Sequence, residues 1–116
     1  MSELLTASVN STVESQPAEA DPLVLVADPD GASRTRRAEQ LRARGFRVAL
    51  AQTPFEAIVK ASCQLPDLIL VDSSLGAGAA EETAELLSTC PATAHIPIVR
   101  LSAGRRVPPR VFSLVR

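Results

Sequence analysis

The stretch that decides the fold is Pro66-Asp67-Leu68-Ile69-Leu70-Val71-Asp72. Its first two residues end a preceding helix, and the four residues after them are all apolar. A continuous apolar run of this length is typical of a parallel strand that is covered on both faces of its sheet. We therefore expect a buried strand over residues 68–71, with Asp72 at its carboxyl end.

Three more apolar segments lie outward from this strand, and each predicts a strand. They cover residues 23–27, 46–51 and 96–101. Helices are predicted between the strands: the first runs to about Arg44, the second begins at Thr53 and the third covers about 80–88. Strands that alternate with helices through short loops predict an α/β fold with a parallel sheet and right-handed crossovers.

The first two helices carry clear sequence signals. In Thr53-Pro54-Phe55-Glu56, the threonine is a helix cap, the proline takes the first helical position and the glutamate reaches back to the cap. The arginines of the first helix are expected on its solvated side. The buried positions expected in the two helices are Ala38, Leu41, Ala57, Ile58 and Ala61.

Charge is distributed unevenly along the 116 residues. Residues 1–30 contain six acidic residues and no basic one, whereas residues 31–116 contain seven acidic residues and all twelve basic ones. A nucleic-acid-binding face would need aromatic residues between the arginines, and the sequence has none between Arg34 and Arg44. We therefore do not expect nucleic-acid binding.

Length, hydropathy and cysteine content restrict the protein class. The chain is long enough for one compact domain, and no apolar run approaches the roughly 20 residues that cross a bilayer. Neither a membrane partner nor a signal peptide is expected, so the expected location is the cytoplasm. Cys63 and Cys90 lack the spacing of a metal site or disulfide framework, and we expect both to be reduced.

Polar residues follow three of the predicted strands: Asp28 follows the first, Asp72 the third and Ser102 the fourth. Ligand sites in open parallel sheets lie beyond the carboxyl ends of the strands, so these three side chains are expected to converge. The alternative is that strand ends are polar simply because the loops that follow them are exposed to solvent. Three polar residues at corresponding places favour a functional site.

The order of sequence landmarks resembles that of response-regulator receiver domains, the CheY-like family. The landmarks are residues 26–34, 45–48, 54–58, 66–72 and 96–103. The resemblance implies a flavodoxin-like fold in which Asp72 accepts a phosphoryl group and Ser102 is the switch hydroxyl that hydrogen-bonds it. It also implies that Asp28 and Asp72 bind a metal ion, Mg²⁺, when the aspartate is phosphorylated; no other cofactor is expected.

The sequence departs from the family pattern at several positions. Pro29 occupies the second acidic position, where a carboxylate would bind the metal, and only Asp30 could replace it. The family lysine is missing, because Lys60 is the chain's only lysine and belongs to the second helix. Metal binding is therefore expected to be weak or absent.

The resemblance divides the chain into three parts. Residues 1–21 are expected to be a mostly disordered tail, residues 22–104 a receiver-like domain, and residues 105–116 a basic segment. The basic segment is too short for the family's last helices and strand. The sheet is predicted either to end after its fourth strand or to gain a short edge strand from this segment, which would pack on this domain; alternatively, the segment is a partner-binding tail. The residues expected to make such contacts are Arg110, Val111, Phe112 and Leu114.

These observations favour an atypical, non-enzymatic signalling protein that acts through protein contacts, as a phosphorylation-independent adaptor or scaffold. One alternative is a phosphorelay receiver that is switched by phosphorylation of Asp72. A second is a small flavodoxin-like ligand-binding module, although no glycine-rich phosphate loop follows the first strand. The expected partners are a signalling protein or a histidine kinase, and self-association through the sheet edge is a further option.

Overall fold

The computed structural model describes residues 21–75 and 79–115, so the predicted N-terminal tail lies almost wholly outside the described part. The elements in chain order are β1 (Leu23–Ala27), α1 (Gly31–Arg42), β2 (Arg47–Ala51), α2 (Pro54–Gln64), β3 (Leu68–Asp72), α3 (Ala79–Thr89), β4 (Ile98–Leu101) and α4 (Pro109–Phe112). All strand pairs are parallel, in the order β2-β1-β3-β4. This confirms the predicted α/β class and its alternating elements.

The two central strands are buried along their whole length, as their uninterrupted apolar sequences predict. In β1, Leu25 faces one side of the sheet, and Val24 and Val26 face the other. The register pairs Ala27 with Val71. The residues after this pair, which are the two aspartates of the predicted site, therefore leave the sheet side by side.

The start of α2 forms as the sequence predicts, and the following contacts hold both of its ends. The Thr53 hydroxyl accepts a hydrogen bond from the backbone N–H of Glu56 at 3.1 Å. The Glu56 carboxylate in turn accepts one from the N–H of Gln52 at 2.7 Å, one residue before the cap. Leu65 ends α2 in the left-handed conformation, with a φ of 48°. These contacts satisfy backbone groups that a helix end would otherwise leave unpaired.

One face of the sheet is covered by α2 and α3. Its core contains Leu25, Ile69 and Val71 from the strands, Ala57 and Ala61 from α2, and Leu87 from α3. The small alanines let α2 approach the sheet closely, and both are fully buried. The predicted buried stripe of α2 is confirmed, and Ile58 packs against its edge.

The opposite face is covered by α1 and by the C-terminal segment. Val111 and Phe112 are buried here, and the Phe112 ring stacks on Phe46 with 5.7 Å between the centroids. The prediction of an edge strand is wrong, because these residues belong to the short helix α4. Pro108 and Pro109 explain the difference, since proline lacks the N–H that pairing in a sheet requires.

The burial of Val111 and Phe112 also corrects their assignment as partner contacts, because the domain's own core takes up both side chains. Arg110 and Leu114, assigned with them, remain exposed. Within residues 21–75 and 79–115, β4 pairs with β3 alone. Self-association through the other edge of β4 stays a prediction.

No helix in the described part of the chain is long and apolar enough to cross a membrane. Cys63 and Cys90 are both free thiols.

Candidate functional site

Two buried carboxylates lie at the carboxyl end of the sheet, as the strand pattern predicts. Asp28 follows β1 and Asp72 is the last residue of β3, and their exposed fractions are 0% and 1%. Burying two negative charges this close together is unfavourable unless a positive charge or strong hydrogen bonds compensate them. The surroundings of the pair therefore decide what the site can do.

The compensating charge is the guanidinium of Arg37, which reaches the site from α1. Its Nη1 atom lies 3.0 Å from Oδ2 of Asp28 and 2.5 Å from Oδ2 of Asp72. Arg37 is 2% exposed, so all three charged groups are removed from solvent. The arginine thus bridges the two carboxylates from a position between them.

The other nitrogens of Arg37 fix the loop after β4. Nη2 donates to the backbone carbonyl of Ser102 at 3.0 Å, and Nε donates to the carbonyl of Arg105 at 2.9 Å. One side chain therefore connects β1, β3 and the loop over 102–105 to α1. No buried side-chain nitrogen or oxygen in the described part of the chain lacks a hydrogen-bond partner.

Both oxygens of Asp72 are engaged. Oδ2 accepts from Arg37, while Oδ1 accepts from the backbone N–H of Ser74 at 2.8 Å and from its hydroxyl at 2.5 Å. Burial by itself would raise the pKa of Asp72, but the two Ser74 hydrogen bonds and the Arg37 guanidinium outweigh it and hold the pKa below its ordinary value. Asp72 is therefore a stabilised carboxylate with no oxygen left without a protein donor.

Asp28 is satisfied in the same way. Its Oδ2 accepts from the Ser33 hydroxyl at 2.5 Å as well as from Arg37, and its Oδ1 accepts from the backbone N–H of Asp30 at 2.9 Å. The side chain of Asp30 points elsewhere, because it is the cap of α1 and accepts from the N–H of Ser33 at 3.2 Å. As exposed helix cap, Asp30 does not supply the replacement metal ligand that the sequence allowed.

Ser102 lies next to this cluster, directly after β4, so all three polar strand ends meet at one edge of the sheet. Its contact with the buried site is through the backbone carbonyl, and the residue itself is exposed. Its role as a switch hydroxyl stays a prediction.

Solved receiver domains share this arrangement of strands and helices over most of their length. Chemotaxis response regulator CheY4 of Vibrio cholerae matches at a TM-score of 0.68 and 21% identity, over 82% of this chain and 78% of that one. The chain folds as a response-regulator receiver domain. The N-terminal domain of a response regulator receiver protein from Methanoculleus marisnigri gives a TM-score of 0.67 at 26% identity, over 82% of this chain and 80% of that one.

The receiver domain of HemR from Leptospira biflexa, in its non-phosphorylated form, matches at a TM-score of 0.63 and 25% identity, over 81% of this chain and 76% of that one. No protein-family model matches the chain, and no curated protein matches it by sequence. The receiver fold supports a signalling role of the response-regulator kind.

The receiver site of this chain does not fit Mg²⁺. A magnesium ion needs oxygen ligands in near-octahedral geometry, and Arg37 takes the Oδ2 atoms of both aspartates. Pro29 offers no side-chain oxygen, and Asp30 is used as a cap. Within the described residues, no group of three or more histidine, cysteine or acidic side chains could hold a metal ion. The positive charge between the two aspartates is therefore supplied by the side chain of Arg37 and not by a metal ion.

Arg37 is the site residue that the sequence did not reveal. The arginines of α1 were expected on its solvated side, and for Arg37 this expectation is wrong. A usable signal existed, since Ser33, Arg37 and Leu41 follow one another at intervals of four residues and so share one helix face. All three are buried. An arginine in line with a buried leucine, in a receiver-like sequence without its lysine, points to the site.

Proposed function

We propose that this chain is a receiver-like adaptor that acts through protein contacts and does not depend on phosphorylation of Asp72. The observation that carries the proposal is the Arg37 guanidinium between Asp28 and Asp72. The expected partner is a signalling protein or a histidine kinase, because the fold is that of response-regulator receivers.

The contacts of Asp72 oppose phosphoryl transfer to it. A nucleophilic carboxylate needs an oxygen that can approach phosphorus, and both oxygens here accept hydrogen bonds from Arg37 or Ser74. The transferring group also needs cations aimed at its equatorial oxygens. Arg37 is the cation at hand, but its bonds to both carboxylates and to two backbone carbonyls already direct its donors elsewhere.

The same contacts favour one fixed conformation. A phosphorylation switch requires the loop after β4 to exchange between two arrangements. Here Arg37 ties that loop to α1 through the carbonyls of Ser102 and Arg105, and Gln40 ties it again through two hydrogen bonds with the backbone of Val107. A permanently held loop suits a protein that presents a constant surface to its partner.

Incubation of the full chain with acetyl phosphate and Mg²⁺, followed by intact-mass measurement, tests the proposal. We expect an unchanged mass, while a phosphorylatable receiver domain treated in parallel gains a phosphoryl group. The control variant is Asp72→Asn, which removes the acceptor. A phosphoryl group on the natural chain that is absent from Asp72→Asn would instead establish a receiver switched at Asp72.

A further inference from the structure

The two edge strands of the sheet, β2 and β4, differ in how their outer backbone groups are satisfied. In β2, the N–H of Arg47 and the carbonyl of Ala51 bond to the residues that flank β1. Backbone groups of successive strand residues point to opposite sides, so Val48 and Leu50 direct theirs outward. The Lys60 ammonium of α2 donates to the Leu50 carbonyl. A charged side chain therefore covers part of this edge, which hinders pairing with another strand.

The outer edge of β4 has no such cover among the described residues. The carbonyls of Pro97 and Leu101 accept hydrogen bonds from β3 and from the residue after it, at 3.0 and 2.8 Å. By the same alternation, Ile98 and Arg100 direct their N–H and carbonyl groups away from β3. Within residues 21–75 and 79–115, nothing bonds to these outward groups. An edge of this kind is ready to pair with a further strand.

The side chains of β4 leave this edge accessible. Ile98 packs at the margin of the core under α2 and α3, Val99 packs on the opposite core, and both are half-buried. Arg100 is the one charged residue of the strand, and its guanidinium lies 3.3 Å from the Glu81 carboxylate of α3. A charge on an edge strand normally hinders pairing, but here a carboxylate of the same chain offsets it.

We propose that β4 pairs antiparallel with β4 of a second copy of this chain, with Val99 of both copies at the two-fold axis. Ile98 of each copy then lies opposite Arg100 of the other, and each such pair exchanges two backbone hydrogen bonds. Every outward N–H and carbonyl of Ile98 and Arg100 is thereby bonded. The dimer goes beyond the proposed function, because it involves neither Asp72 nor its phosphorylation.

The neighbouring registers are blocked by bonds that the chain already makes. With Ile98 opposite Ile98, Arg100 would face Ile96, whose N–H is already bonded to the Thr93 carbonyl at 3.0 Å. With Arg100 opposite Arg100, Ile98 would face Ser102, whose carbonyl already accepts two hydrogen bonds. That register also sets two like charges side by side, which is destabilising. The register centred on Val99 avoids both conflicts.

A second copy suits this edge better than a strand from another protein. The pairing needs outward backbone groups spaced two residues apart with an apolar residue between them, and β4 itself supplies both. In the proposed register, Val99 of one copy meets Val99 of the other in the closer, non-hydrogen-bonded position of an antiparallel pair. A two-fold contact of this kind also closes after two copies, so it produces a dimer and not a fibre.

Sedimentation velocity on the full chain, from about 5 µM to about 500 µM, tests the proposal. We expect a monomer that becomes a dimer as concentration rises. The variant Ile98→Pro removes one outward N–H and no bond to β3, a position at which an edge strand tolerates proline. The matched control is Val48→Pro, which removes an outward N–H of a half-buried residue at the β2 edge. Ile98→Pro should weaken the dimer at least about tenfold, and Val48→Pro less than about twofold.

Amide hydrogen exchange, measured by NMR on the natural chain, gives a second readout. The amides of Ile98 and Arg100 should exchange more slowly as the concentration rises, whereas that of Val48 should not change. Because this measurement needs no substitution, it decides the question even where Ile98→Pro fails to fold.

Four results would overturn the proposal. The first is a monomer at every concentration, and the second is an equal loss of the dimer in Ile98→Pro and Val48→Pro. The third is a dimer in which exchange at Ile98 and Arg100 does not slow. The fourth is a monomer in which these two amides are already protected, since another part of the same chain would then cover the edge.

Discussion

The face of the sheet under α2 and α3 is closed by helices that pack small and branched apolar residues on the strands, whereas the face under α1 is closed only with the help of an irregular C-terminal segment. On the second face, the Arg37 side chain also extends from α1 past the carboxyl end of the sheet, where it donates hydrogen bonds to both carboxylates. One face is thus closed mainly by regular helices, to which Leu75 and Ile96 from the loops add their side chains. The other combines core packing with a buried ionic cluster and carries the features on which function depends.

The strand that the two faces share should be the most sensitive to substitution. Val71 faces the α2 and α3 side and Leu70 the opposite side, and both are buried. We expect Val71→Asp and Leu70→Asp each to bury an unpaired charge and cost more than about 5 kcal/mol, which unfolds a domain of ordinary stability. Circular dichroism in a urea titration measures this. Cooperative folding of either variant would show that the substituted side chain is not buried in the core on its face of the sheet.

Removing the guanidinium should have the next largest effect. Arg37→Met leaves two buried carboxylates without their positive partner, and we expect it to cost about 3–5 kcal/mol near neutral pH. Arg42→Met, an exposed change in the same helix, should stay within about 0.5 kcal/mol. Equal stability of the two variants in urea titrations would contradict the buried bridge.

The loss of stability in Arg37→Met should depend on pH. In the natural chain the pKa of Asp72 is lowered, so its contribution to stability is present above the unfolded value of about 3.9 and is lost as pH falls through the folded value. In Arg37→Met the guanidinium no longer offsets the burial of Asp72, so the pKa of Asp72 should rise. The stability difference between the natural chain and the variant should therefore shrink as pH falls and Asp72 becomes protonated in the variant.

The second face depends on the C-terminal segment in a way that a pair of substitutions can reveal. Phe112 is 6% exposed and stacks on Phe46, whereas Leu114 is 51% exposed. We expect Phe112→Ala to cost about 3 kcal/mol and Leu114→Ala less than about 0.5 kcal/mol. If thermal melts showed Phe112→Ala to be as stable as Leu114→Ala, the segment would not close this face.

Apart from the control substitutions Arg42→Met and Leu114→Ala, the smallest effect is expected on the first face, at the start of α2. Thr53→Ala removes the hydroxyl that accepts the Glu56 N–H, and such a cap contributes about 1 kcal/mol. The substitution should lower the urea midpoint slightly and leave the slope unchanged. A loss as large as that in Arg37→Met would mean that the regular face depends on single polar contacts as much as the irregular one does.

The two faces also differ in how far the sequence predicts them. The buried strands around Leu25 and Leu70 and the cap at Thr53 follow from local patterns that only one structure satisfies. The same holds for Asp28 and Asp72, because the position of a strand end follows directly from the strand.

The C-terminal helix and the arginine bridge do not follow from local patterns. Val111 and Phe112 have side chains that favour strands, and only the two preceding prolines and the open core beside Phe46 make a helical turn the better solution. Arginines on a helix are usually solvated, and Arg37 is buried because two carboxylates from strands far apart in sequence meet there. That meeting depends on tertiary structure.

The most direct measurement of the central claim is a pH titration of the Asp72 carboxyl carbon by ¹³C NMR, in the natural chain and in Arg37→Met. The account predicts a pKa below the ordinary value of about 3.9 in the natural chain and a clear rise in the variant, because Arg37 no longer stabilises the charged form. The same pKa in both proteins would show that Arg37 does not hold Asp72 in solution, and the phosphorylation-independent adaptor would lose its physical basis.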